Sequence, residues 1–212
     1  MTTSRDLFLV SMDMPSGRPV ERGDLSLALA GAEVIDLLNA RAVRLEDDHL
    51  VPDDTPDDPP AMTDRLLGEA ASSLVRQAPY ETVSDWLWRR GRGLAAVYLA
   101  ELEAQGQITS QQRRRWMVLR TSRTVLTDSP ARRQAANRWA ADEPVLAALA
   151  AAVGIHGGIH DAPTEEAPGV LDDTVERVLT EVEDAVGELV AERQRRVRRR
   201  EEAAEDNRQR GY

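Results

Sequence analysis

The chain has 212 residues, a net charge of −10 and no cysteine, with a single phenylalanine, Phe8. That length suits one domain with an appendage and can bury a core. The missing cysteines exclude disulfides and thiolate chemistry and point to a reducing cytosol. The acidic balance argues against general nucleic-acid binding. All 27 basic side chains are arginine, as in GC-rich bacterial genomes. They are unevenly placed: residues 1–80 are net −8, whereas residues 81–139 hold 11 arginines against 5 acids and are net +6. One basic face for an anionic partner is therefore expected from the middle third. No signal peptide is visible, and no apolar run is long enough to span a membrane.

In chain order, RDLFLVSM (5–12) is a helix turn or strand, and MPSGRPV (14–20) is a turn. A buried helix is predicted over about 25–41, with Asp24 as its N-cap. Gly31 inside it costs about 1 kcal/mol against Ala, so close helix–helix packing is expected there. Residues 40–54 read as strand, turn, strand, with the turn at Asp47–Asp48. PDDTPDDPP (52–60) is a loop without the ligand spacing of a calcium site. Helices follow over 61–77, with Met62, Leu66, Leu67, Ala70 and Leu74 inward, then over 78–91, opened near Thr82 or Ser84, and over 93–109. WMVLR and RTVL are expected to pair as a hairpin across Thr121–Ser122. Residues 131–155 are helical with a break before Pro144. A linker covers 156–169. A long helix spans 171–206, with an inner stripe of Val175, Val178, Leu179, Val182, Val186, Leu189 and Val190. Its RQRRVRRR run is expected to pair with the flanking acids as a solvated helix. The predicted fold class is mainly α: a helical bundle around a central apolar helix pair with short β-hairpins at the rim. The domains are 1–155, the linker 156–169 and a C-terminal amphipathic helix, 170–212.

The order RDLFLVSMDMPSGRPV, LALAGAEVIDLLNARAVRL, WLWRRG, LAAVYLAELEAQGQIT and an arginine-flanked hairpin resembles the Golgi phosphoprotein 3 family, in particular its actinomycete members, over roughly residues 4–155. The resemblance implies a helical globule. It also implies, from the eukaryotic members, a peripheral membrane protein that binds phosphatidylinositol 4-phosphate and links Golgi glycosyltransferases to coat proteins. The family's headgroup pocket of one Trp and three Arg falls here on or near Glu21 and on Ala30, Arg92 and Ala95, so one of the four is kept. The Golgi cargo role does not transfer to a bacterium.

Candidate headgroup ligands are Arg89, Arg90 and Arg92 of WRRGRG, with Arg22 nearby. Gly91 and Gly93 would let backbone N–H groups approach an anion. The alternative is an ordinary solvated arginine cluster. In RRRWMVLR, Trp116, Met117, Val118 and Leu119 stand between Arg113, Arg114, Arg115 and Arg120. That pattern suits a membrane-inserting tip, or a strand packed inward or against another subunit. Trp86 and Trp139 are expected in the core, with Trp88 on another face. His156 and His160 form an incidental loop pair, His49 has no evident partner, and no carboxylate pair stands in an apolar setting that would raise a pKa. No catalytic residue, metal site or cofactor is implied. The preferred function is a cytoplasmic peripheral-membrane or adaptor protein binding anionic phospholipid, with a protein partner or homo-oligomer in view. The alternatives are a winged-helix-like nucleic-acid binder, with the 113–123 hairpin as its wing, and a ligand-free structural oligomer.

Overall fold

A computed structural model describes residues 2–13, 20–53, 64–112, 122–156 and 172–211. The expected turn at 14–20 (apart from Val20), most of the loop 52–60, Met62, the tip residues Arg113–Arg120, the linker from residue 157 and His160 lie outside the described residues. Among those described there are eight helices and two antiparallel two-stranded sheets: α1 (Thr3–Asp13), α2 (Arg22–Asn39), β1 (Val43–Glu46), β2 (His49–Pro52), α3 (Arg65–Ser72), α4 (Val83–Arg90), α5 (Leu94–Ala104), β3 (Ile108–Gln112), β4 (Ser122–Leu126), α6 (Pro130–Ala140), α7 (Pro144–Ala152) and α8 (Asp173–Arg210). The fold is mainly α, as expected from the Ala- and Leu-rich composition.

Helix α2 is the axis. Every residue from Asp24 to Leu37 is buried, because α1, α3, α4, α5, α7 and α8 all pack on it. It starts at Arg22, earlier than expected, and the residue before it, Glu21, supplies no side-chain cap. Asp24 is therefore a first-turn residue rather than the N-cap. The close approach expected at Gly31 is made by α8: a Cβ there would lie 2.2 Å from Cγ2 of Val182. Helix α1 settles the ambiguity of RDLFLVSM, burying Leu7, Phe8, Leu9 and Val10.

The local punctuation works as sequence chemistry dictates. Asp47 takes a φ of 53° in the turn between β1 and β2, a conformation that Asp tolerates better than most residues. Thr82 caps α4 by accepting from the Asp85 N–H, and Asp64 caps α3. Pro130 and Pro144 each open a helix, where a missing N–H does no harm. The second ladder differs from expectation. SRTVL pairs with ITSQQ, in register from Ile108–Leu126 to Gln112–Ser122, so Ser122 is a strand residue and not part of the turn. This register sets Ile108 opposite Leu126, and both pack against the core. In α8, Val178, Leu179, Val182, Ala185 and Val186 face inward, but Val190 is 36% exposed.

Gly31→Ala should destabilise despite the better helix propensity of Ala, because overpacking costs about 1–3 kcal/mol. Thermal unfolding should show a Tm lower by several degrees. Adding Val182→Ala should cost less than the two single changes summed, since the same contact is relieved.

Candidate headgroup groove

A groove of about 420 Å3 opens where the first turn of α2, the α4–α5 junction and α8 meet. Its base is apolar, formed by buried Leu27 and Ala95, with Leu189 contributed by α8. Two glycines let the elements close on each other, and a third turns the chain. A Cβ on Gly23 would lie 2.9 Å from Leu189, and one on Gly91 would lie 3.2 Å from the Ser26 carbonyl. Gly93 takes a φ of 75°, the left-handed turn that sends the chain from α4 into α5. Ser26 links two helix starts: its hydroxyl donates to the Arg22 carbonyl at 2.7 Å and accepts the Ala95 N–H at 3.0 Å.

Arg22 and Arg92 line this groove from different helices, together with Trp88, which is 37% exposed. Neither arginine makes an ion pair or side-chain hydrogen bond with a described residue. The nearby acids face the other way. Both carboxylate oxygens of Asp24 lie 2.6 Å from an Arg193 nitrogen, and Glu21 lies 3.8 Å from the same guanidinium. The N-termini of α2 and α5 both reach the groove, adding partial positive charge.

The other two arginines of WRRGRG are held elsewhere. Arg89 donates to both oxygens of Glu81 at 2.6 and 2.8 Å and to the Ser73 carbonyl, with its guanidinium 5.1 Å from the Trp86 ring centroid. Arg90 donates to both oxygens of Glu33 at 2.7 and 2.9 Å. The Tyr98 hydroxyl donates to the same carboxylate at 3.1 Å. Glu33 is fully buried; burial pushes its carboxyl up, with Arg90 and Tyr98 pulling against it. The four proposed ligands therefore split, with Arg22 and Arg92 together and Arg89 and Arg90 in structural ion pairs. The same holds for other middle-third arginines. Arg132 pairs with Asp13, Arg133 with Asp128, and Arg138 with Asp6 and Glu143. The described arginines of that third do not form one open basic face.

Of the positions implied by the family pocket, Arg92 and Ala95 line the groove. Ala30 is buried, and its carbonyl accepts the Trp86 indole N–H at 3.1 Å. Trp88 and Leu189 were not singled out as ligands from sequence; the two-residue offset from core Trp86 was the available signal for Trp88. The acids were also misjudged. Asp6, Glu33 and Asp36 are buried, and burial raises all three. His49 does have a partner, with its Nδ1 2.6 Å from Asp48. Among the described residues no group of three or more His, Cys, Asp or Glu could hold a metal.

A family model described as Golgi phosphoprotein 3 (GPP34) matches residues 4–205. No curated protein matches the chain.

Glu33→Ala would leave the Arg90 cation stranded against the core. Breaking such a pair costs on the order of 3–5 kcal/mol, so thermal unfolding should show a Tm drop of roughly 10 °C. Glu81→Ala releases the more exposed Arg89 and should cost about 1 kcal/mol or less.

Proposed function

Because the chain belongs to the Golgi phosphoprotein 3 family, we propose that it is a peripheral-membrane or adaptor protein whose groove at Arg22, Arg92 and Trp88 takes the headgroup of an anionic phospholipid. The observation that carries this reading is the pair of unengaged arginines. Nearly every other described arginine in the globular body is spent on a carboxylate or carbonyl, yet these two approach one cavity from separate helices. Guanidinium forks suit phosphate oxygens, and such charge-assisted bonds are among the strong ones. Two helix N-termini favour the same sign of ligand. Trp88 at the edge is the residue type that rests at headgroup depth.

The groove would anchor the protein from outside the bilayer. No described helix is long and apolar enough to cross a membrane. The arginine-flanked segment Trp116–Leu119, outside the described residues, would add apolar insertion to the headgroup contact.

Sedimentation with vesicles of phosphatidylcholine alone, or doped with phosphatidylserine or phosphatidylinositol 4-phosphate, tests the reading. The protein should pellet with the doped vesicles only. Arg22→Ala with Arg92→Ala should weaken that binding by about tenfold or more, since each charge-assisted bond contributes roughly 1.5–3 kcal/mol. Arg89→Ala should leave it unchanged. Equal pelleting of the double variant and the unaltered chain would sink the proposal.

A further inference from the structure

The end of α8 leaves the body as a bare helix. Every residue from Gln194 to Arg208 is exposed. Its charges fall into two blocks. Residues 193–200 hold six arginines and no acid, and Glu201, Glu202 and Glu205 follow directly. The self-pairing expected from sequence is found in the first block. Arg195, Arg196 and Arg199 converge on the one carboxylate of Glu192, at 2.9, 2.8 and 3.1 Å. Glu201, Glu202 and Glu205 make no ion pair with a described residue, and neither do Arg198 and Arg200. This block order is unfavourable for a lone helix, since acids gather toward the C-terminus and arginines precede them.

The same helix carries an unpartnered stripe. Val190, Val197 and Ala204 recur every seven residues, the spacing of one seam of a coiled coil. Val197 is 51% exposed. A shallow trough of about 620 Å3 runs along this face, lined by Val197, Arg200, Glu201, Ala204, Glu205 and Arg208.

We infer that this face is a homotypic contact in which the α8 ends of two copies lie antiparallel, crossing at the Arg200–Glu201 step. In that register Arg200 of one helix comes level with Glu201 of the other, and Arg198 comes beside Glu201 and Glu205, which share its side of the Val197 seam. Val197 meets Ala204 between them, and two-fold symmetry makes each contact twice. The block order is complementary to itself only when reversed, so the occupant is a second copy running the other way. A parallel pair would set arginines against arginines. The contact is narrow and ionic, so salt weakens it. It is independent of the headgroup groove.

Analytical ultracentrifugation of the full chain tests this. A monomer–dimer equilibrium is expected at low ionic strength, weakened about tenfold or more when salt rises from roughly 0.05 to 0.5 M. Two charge reversals, R198E/R200E and E201R/E205R, should each be monomeric alone and should dimerise when mixed. Reversal variants that dimerise alone like the unaltered chain would overturn the inference, as they would if association ran through residues 113–121, which they leave intact. A mixture that stays monomeric would also overturn it. Should circular dichroism show either reversal variant losing helix, cysteine pairs decide, because the chain has no cysteine of its own. V197C mixed with A204C should cross-link to each other. Predominant V197C–V197C dimers, or no cross-link, would sink the antiparallel register.

Discussion

Two carboxylates placed one turn apart on the buried central helix hold this protein together. Asp36 accepts the N–H groups of Thr3 and Ser4 at 2.8 and 3.0 Å, and the Ser4 hydroxyl at 2.9 Å. It thereby caps α1 from another element. Glu33 accepts the guanidinium of Arg90 from α4 and the hydroxyl of Tyr98 from α5. A buried acid without donors is far costlier than one never buried. Three helices are thus bound to α2 by groups that cannot be left unmatched. The third buried acid, Asp6, is met by Arg138 at 2.5 Å, which also holds Glu143 at 3.0 Å, and this fixes α1 to α6 and α7. Such pairs specify an arrangement more than they add stability.

That framework decides which arginines are free. Arg89 and Arg90 sit in the last turn of α4, pressed between acids from the α4 entry and from α2, and both are consumed. Gly91 ends the helix and Gly93 turns the chain, so Arg92 escapes to the outer side of the junction. There it meets Arg22, which is free because α2 begins with an uncapped turn pointing the same way. The groove follows from how a short helix stops and a long one starts.

The elements were legible because their signals are local. The Asp47–Asp48 turn, the Thr82 cap and the break at Pro144 each act within one or two turns of chain. The family resemblance was likewise visible, in the order of apolar and glycine positions. What was not legible depends on distant partners. Glu33 and Asp36 look like the polar face of an amphipathic helix until α4 and α5 close over the first and α1 over the second; Arg90 is 57 residues from Glu33. WRRGRG reads as one cluster, and only the position of Glu81 and Glu33 divides it. The pairing of RTVL was misjudged because WMVLR has the stronger strand composition, whereas burial of Ile108 and Leu126 sets the register.

The Arg193 contact makes the groove's electric sign a non-local property. Glu21 and Asp24 share the start of α2 with Arg22, and Arg193 of α8 holds both in a separate cavity, offsetting their charge. A helix distant in sequence therefore sets the polarity that a diffusing anion first feels. Any event that lifts α8 from α2 would leave two uncompensated acids beside Arg22 and dim the attraction, besides taking Leu189 out of the groove wall.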